Sequence, residues 1–412
     1  MRNIVVLQIP NAKNNGSAMM AINSINYFNN KIDGDVNFLC DFSTSDDRDR
    51  IVEELNESIN VSNLDIPQFD RGNSLVSSLF NRLKWIKEVI SVMRKHDPLA
   101  ILVLGGDDFS EYYSGSKIII RLFFMYRLSL HFPVYLIGHT IGPFTSWRKK
   151  AFGILMAKCR IVTRDKPSLE HLKNDIKHNH ASLGHDLAWF NLPMQNDELK
   201  KNMQNKYLLV EDDYVVFTPT ALIKHYADSE NDYLVAVKEL IEILVRQGKN
   251  VVLMPHVFNT EKRDERWVIS ELEKMLSDTP CVTYIKDMLL PSECRAIVSG
   301  CTFSIACRMH AAVSTLQTGK PTIALSYSIK YAGVIGGDMK LPELVIESRN
   351  SELWKSGIVN QIVEKVDFVE NNYDQLCARI EERVEDIKRD QKRIMDSIYK
   401  QIELNKGAPF DK

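Results

Sequence analysis

This 412-residue chain has no apolar run long enough to cross a bilayer. The richest stretch, Ile118 to Leu130, is short and is broken by Arg121 and Arg127. It reads either as a helix packed on a sheet or as a helix lying on a membrane surface. An excess of one charge is also missing. Lys and Arg number 52 against 54 Asp and Glu, a formal net charge of −2, which gives no drive toward nucleic acid. Short basic clusters such as Arg148-Lys149-Lys150 read as solvated faces. Cysteine is sparse and odd in number: Cys40, Cys159, Cys281, Cys294, Cys301, Cys307 and Cys377. Such scatter argues against a disulfide framework and suits a reducing cytoplasm. Six and five residues separate Cys294, Cys301 and Cys307, which matches no common zinc pattern, so structural thiols and no metal are expected. No complete G-x-G-x-x-G and no internal repeat are present. No secretory leader is read either: Ile4 to Ile9 is apolar, but Pro10 and a polar run follow, as after a first strand.

What is present is alternation. A chain this long and 44% apolar suggests two globular domains. Strand-like runs at Ile4 to Ile9, Val36 to Leu39, Leu99 to Leu104, Val134 to Ile137 and Arg160 to Thr163 are separated by helix-like segments. One of these, Leu75 to Lys95, places Leu79, Leu83, Ile86 and Ile90 on one side. The polar stretch from Asn191 to Asp213 reads as a boundary, after which the β-α-β series restarts with Tyr214 to Thr218. The expectation is an α/β chain with two Rossmann-like parallel-sheet lobes of the GT-B kind and a cleft between them. Its segments are an N-terminal lobe over 1–195, a C-terminal lobe over 205–345 and a helical segment over 346–412. In that last segment Tyr373, Leu376, Ile380, Val384, Ile387, Ile394, Ile398 and Ile402 form a long amphipathic stripe. Such a helix either returns to the first lobe or pairs as a coiled coil.

The chemistry concentrates between Ser304 and Asp338, where Arg308, His310, Lys320, Tyr327 and Lys330 fall within a strand–helix–strand pattern. Arg308 and His310 stand where a strand ends and a helix starts, a position that favours anions. An arginine there grips phosphate or carboxylate, and a histidine moves protons near neutral pH. His256 ends another strand, where such sheets open on a crevice. Arg164 precedes Asp165, which either caps the following helix with Arg164 as its partner or leaves Arg164 for a ligand. His139 lies in a Gly-His-Thr-Ile-Gly-Pro turn whose glycines imply close approach to a neighbouring element or to a ligand.

Several of these segments together resemble the polysaccharide pyruvyl transferase family. They are Arg308-Met309-His310, the strand from Gly319 to Tyr327 (GKPTIALSY) with the trailing Lys330, Gly105-Gly106, Gly138 to Pro143, Thr163 to Ser168, and Asp186-Leu187-Ala188. The resemblance implies transfer of a pyruvate ketal from phosphoenolpyruvate to a saccharide in surface-polysaccharide assembly, with no cofactor beyond that co-substrate. Implied roles are acid/base for His310 and an anion clamp for Arg308. Arg164, Lys330, Tyr327 and His256 join them on the donor side. Gly16, Ser17, Gly106, Asp107, Asp108 and His139 are expected on the acceptor side. The acceptor would be lipid- or nucleotide-linked. The partners implied are therefore phosphoenolpyruvate and saccharide, without nucleic acid, with peripheral membrane contact and homo-oligomerisation left open. The location implied is the cytoplasm, up to the inner face of the membrane. Two departures touch the acceptor side: Gly16 is followed by Ser17 where the family usually has an acid, and Gly105-Gly106 is followed by Asp107 and Asp108 where relatives often carry a third glycine. Asp108 reads equally as a base for a hydroxyl and as a helix cap. The competing readings are a GT-B glycosyltransferase using a nucleotide sugar and a non-catalytic saccharide-binding protein.

Overall fold

A computed structural model describes residues 2–9, 11–55, 59–69, 75–111, 118–258, 264–328 and 330–404. The chain divides into two compact units. The first holds Met1–Ala12, Met20–Leu187 and Asp390–Lys412; the second holds Lys13–Met19 and Ala188–Arg389.

Among the described residues, the first unit has seven strands, all parallel: β1 (Arg2–Leu7), β2 (Val36–Cys40), β3 (Asn60–Asn63), β4 (Ala100–Leu104), β5 (Val134–His139), β6 (Arg160–Thr163) and β7 (Ala181–Leu183). Their order in the sheet is β3-β2-β1-β4-β5-β6-β7. The intervening helices are α1 (Asn15–Asn29), α2 (Ser45–Glu54), α3 (Leu75–His96), α4 (Ile118–Ser129), α5 (Ser146–Leu155) and α6 (Lys166–Glu170). Every residue of β4 is buried, as a continuous apolar run covered on both faces requires. On one face of the sheet Val5, Leu7, Ile101, Val103, Val134 and Leu136 alternate with period two. They meet Ile86, Val89, Ile90 and Met93 of α3, Leu122 and Met125 of α4, and Phe152 of α5.

The second unit restarts the same pattern. Its elements are α7 (Asp197–Tyr207), β8 (Tyr214–Thr218), α8 (Glu230–Arg246), β9 (Asn250–Leu253), α9 (Glu265–Met275), β10 (Val282–Tyr284), α10 (Pro291–Ser299), β11 (Phe303–Ala306), α11 (Met309–Gln317), β12 (Thr322–Ser326) and β13 (Val345–Glu347). Three helices end the chain: α12 (Ser351–Lys355), α13 (Ile358–Asn371) and α14 (Tyr373–Leu404). Its parallel sheet runs β10-β9-β8-β11-β12-β13. Both sheets therefore start at an inner strand, wind outward one way and then the other. The order reverses at β1/β4 in one and at β8/β11 in the other. Loops leaving the strand C-termini at such a reversal open a crevice.

The structure decides three of these expectations. The apolar residues of α3 do not all turn inward: Ile86 and Ile90 are buried, but Leu79 and Leu83 face solvent. The stripe of α14 is not left for a coiled coil, because Leu376, Ile380, Val384, Ile387, Ile398 and Ile402 are all buried within the chain. From Asp390 onward α14 groups with the first unit, where Gln391 accepts the His185 N–H at 2.8 Å and Asp396 accepts the Tyr27 hydroxyl at 2.5 Å. Finally, Gly105 serves its own sheet: a Cβ there would lie 2.1 Å from the Gly138 carbonyl oxygen.

That contact is backbone against backbone, so it cannot be relieved by a rotamer change. Gly105→Ala is expected to lower stability by about 2 kcal/mol, read as an earlier denaturant midpoint with an unchanged slope.

Candidate functional site

The densest group of candidate residues lies in the second unit, around the strand reversal. β11 ends at Ala306, and Arg308 occupies the N-cap position of α11 without a side-chain cap bond. Its guanidinium Nε instead donates to Glu265, the first residue of α9, in a close ion pair. Glu265 is fully buried. Its other carboxylate oxygen accepts the backbone N–H groups of His256, at 2.6 Å, and Val257, at 2.9 Å. Burial pushes the Glu265 carboxyl above its ordinary range, while Arg308 and the two N–H donors pull it back. For Arg308, burial opposes the charged form. Glu265 and the nearby Tyr327 more than offset this and hold the guanidinium protonated.

Behind Arg308 the packing is aromatic. The Cys307 carbonyl accepts hydroxyls from Tyr226, at 2.5 Å, and Tyr331, at 3.0 Å. Tyr327 sets its ring 5.5 Å from Tyr226, tilted to it, and 5.6 Å from Tyr331, edge to face. Lys330 donates to the Tyr327 hydroxyl at 3.1 Å. The strand-end tyrosine and the trailing lysine of the sequence motif thus meet each other and stand beside Arg308.

His256 is 1% exposed, and its Nε2 has no hydrogen-bond partner. Burial drives its ring well below the usual range, and the charges of His310, Arg308 and Arg295 push the same way, so it is neutral. Its carbonyl accepts the Asn15 N–H at 3.2 Å, and Phe258 donates to the Lys13 carbonyl at 2.9 Å. These bonds draw residues Lys13–Met19 into the second unit. Gly16 and Ser17, expected to serve from the first lobe, therefore lie beside the Arg308 cluster. A Cβ on Gly16 would sit 2.1 Å from His310 Nδ1, so only glycine lets the imidazole lie there. Ser17 is half-buried in the first turn of α1. Two helix N-termini, those of α1 and α11, therefore converge on His310, and both favour an anion.

The first-unit candidates separate into two kinds. Gly106, Asp107 and Asp108 follow β4 at the strand reversal and remain partly exposed. Asp108 pairs with Arg121 of α4 at 2.9 Å. Arg164 and His139, in contrast, are inside. Arg164 is 2% exposed, donates to Thr140 at 2.9 Å and pairs at 2.9 Å with Asp186, itself buried. Asp165 caps α6 and accepts the Thr140 hydroxyl at 2.8 Å. Arg164 thus ties the loops after β5, β6 and β7 together, and this replaces the expected ligand contact. His139 is fully buried with Nε2 3.1 Å from the Val103 carbonyl, and burial pushes it down to about 3. It is a core residue rather than an acceptor contact.

Two residues escaped the sequence reading. Glu265 holds Arg308 in place, but an acid opening a helix signals only a favourable helix start. Asp41 follows β2 and accepts the N–H groups of Gln8 and Ile9, each at 2.9 Å. Burial pushes its carboxyl up to about 6 against the pull of those donors. Its signal was an acid directly after a strand at a sheet's C-terminal edge.

A doubly wound unit with a cation, a histidine and helix N-termini at its strand reversal belongs to the class of Rossmann-like group-transfer sites. The comparisons narrow this. The family model "Polysaccharide pyruvyl transferase" matches residues 16–329, and the chain belongs to that family. The amylovoran biosynthesis protein AmsJ of Erwinia amylovora is 23% identical over 311 residues, covering 73% of this chain and 72% of that protein. Among solved structures, UDP-GlcNAc 2-epimerase from Neisseria meningitidis aligns with a TM-score of 0.63 at 12% identity, over 97% of this chain and 100% of its own. A glycosyltransferase from Rickettsia africae aligns with a TM-score of 0.58 at 12% identity, over 98% and 99%. At these identities the likeness shows the fold, which is of the GT-B type.

His139 and His256 are both held neutral, so each binds a proton more readily once unfolded. Their contribution is complete above about pH 6.5 and is lost as pH falls below it, for His139 down to about 3. Each is expected to remove about 1.4 kcal/mol of stability per pH unit in that window. Denaturant titrations at stepped pH should therefore show a shallower acid slope in His139→Gln than in the wild type.

Proposed function

We propose that this protein transfers the pyruvyl unit of phosphoenolpyruvate to a saccharide as a ketal, releasing inorganic phosphate, with the second unit as the donor side. The observation that carries this reading is the Arg308 guanidinium, held charged on buried Glu265, next to His310 at converging helix N-termini. Membership of the family supports it.

The reaction's demands match these groups. Phosphoenolpyruvate brings a carboxylate and a phosphate, and Arg308 with the N-termini of α1 and α11 supplies fixed positive potential for them. A saccharide hydroxyl attacks the enol carbon and loses its proton, while the methylene carbon gains one. Positive charge builds at the ketal carbon beside the carboxylate as the C–O bond to phosphate breaks. A second hydroxyl of the same sugar then closes the ketal, and its proton leaves with inorganic phosphate. His310 is placed to move a proton in either step. Lys330 and Tyr327 add a cation and a hydroxyl at the same strand end. His256 holds an unpaired ring nitrogen close to both Arg308 and His310. Asp107, Asp108 and Gly106, on the first unit, are the residues left for the acceptor.

Arg308→Ala alone confounds two effects, because it strands a buried carboxylate; a loss of about 3 kcal/mol of stability is expected from that source. The paired variant Arg308→Met with Glu265→Gln removes both charges. It is expected to recover most of that stability yet still fail to bind phosphoenolpyruvate in calorimetric titration. Donor binding retained by the folded double variant would refute the clamp. Heat from a panel of nucleotide sugars instead would favour glycosyl transfer.

Gly16→Ala tests His310 separately. The added methyl displaces the imidazole, and phosphate release is expected to drop about 100-fold with donor affinity little changed. Undiminished turnover would remove His310 from the proton transfer.

A further inference from the structure

We propose that the outer face of α3, α4 and α5 in the first unit is a docking surface for an anionic lipid bilayer. The proposal stands on this surface alone and does not depend on the donor chemistry.

Three observations carry it. The first is charge. The three helices together contain ten Lys and Arg residues and one acid, Glu88, although the whole chain is slightly acidic. Some of these cations are answered: Arg121 by Asp108, Arg148 by Glu111, Lys149 by Asp175 and Lys84 by Glu88. Lys87 and Lys150 remain exposed.

The second is the apolar side chains among those cations. Phe80 is 68% exposed, Leu79 56% and Trp147 52%, with Leu83 and Ile154 also out in solvent. Among the described residues, Phe80 and Trp147 are the exposed phenyl and indole rings, and both are here. Half-buried Ile119, Ile120, Phe123 and Phe124 of α4 lie on the same layer of helices. The inward faces of all three helices are spent on the core, and Phe123 and Phe124 pack partly against it, so the exposed Leu79, Phe80, Leu83, Trp147 and Ile154 are what the core leaves outside.

The third is place. In a parallel β-α-β unit the helix N-terminus lies at the strand C-terminal edge. Leu79 and Phe80 lie in the second turn of α3 with Leu83 one turn further on, Ile119 and Ile120 open α4, and Trp147 opens α5, while Ile154 is near that helix's other end. The patch therefore borders the edge that carries Gly106, Asp107 and Asp108.

Aromatic rings amid lysine and arginine are the composition of an interfacial anchor: the rings sit at headgroup level and the cations meet anionic lipid. A protein partner fits less well, since lysine is depleted from the centres of protein–protein interfaces. Among the described residues no helix is long and apolar enough to cross a membrane, so contact here would be peripheral. A patch at this edge would bring a lipid-borne saccharide to the acceptor residues.

The test is co-sedimentation of the full chain with vesicles of phosphatidylcholine alone and of an equal mixture with phosphatidylglycerol. Binding to the mixed vesicles only, weakening as salt is raised, is expected. Phe80→Ser with Trp147→Ser should release the protein, and Lys87→Gln and Lys150→Gln should each weaken binding about fivefold. All four positions are exposed, so the circular dichroism spectrum and denaturant midpoint of each variant should match the wild type and report intact folding. The proposal is overturned if the wild type ignores anionic vesicles, or if the variants bind as well. It is equally overturned if Phe80→Ser with Trp147→Ser dissolves a self-associated form while vesicle binding is absent throughout.

Discussion

The ion pair of half-buried Arg308 with fully buried Glu265 is the contact on which the candidate site depends. Taking either ion out of water costs several kcal/mol, and the pair offsets this only because Glu265 is bonded on both sides. One oxygen takes Arg308; the other takes the N–H groups of His256 and Val257. The same carboxylate therefore fixes the start of α11 and the loop after β9. That loop in turn binds the Lys13–Phe258 and Asn15–His256 backbone contacts, which bring Gly16 under His310. Charge, helix N-terminus and proton carrier are set by one connected chain of bonds.

The two units use a common layout for different ends. Each winds its sheet outward from an inner strand and leaves loops at the reversal. In the second unit those loops hold groups suited to an anion. In the first, the corresponding bonds are structural: Arg164, Thr140, Asp165 and Asp186 lock three loops together, and Gly105 packs directly on Gly138. Of the candidate residues described there, Gly106, Asp107 and Asp108 stay partly exposed at the edge of the sheet, and burial pushes the nearby strand-end carboxyl of Asp41 up to about 6.

Much of the fold could be read from the chain because the inner parallel strands are mostly apolar and mostly buried. β1, β4, β5, β8, β9, β11 and β12 all carry that signal. The edge strands β3, β7 and β13 do not, since Asn-Val-Ser-Asn or Ala-Ser-Leu at a sheet edge resembles a loop. Arg308, His310, Tyr327 and Lys330 were legible as a cluster because they are close in sequence. Glu265 was not, because its importance lies in a partner far along the chain. Gly16 was misassigned to the first lobe for the same reason: its neighbours His256 and His310 are remote. His139 and Arg164 misled because a residue type suited to chemistry says nothing of burial. The α3 stripe misled in the opposite sense, since helical spacing alone does not reveal that Leu79 and Leu83 lie beyond the core.

A crystal structure of the protein with phosphoenolpyruvate bound would test the central claim most directly. The account predicts the donor's carboxylate or phosphate on the Arg308 guanidinium, with its methylene carbon within proton-transfer reach of His310. A donor seated away from Arg308, or a nucleotide occupying the α1 and α11 N-termini in its place, would contradict it.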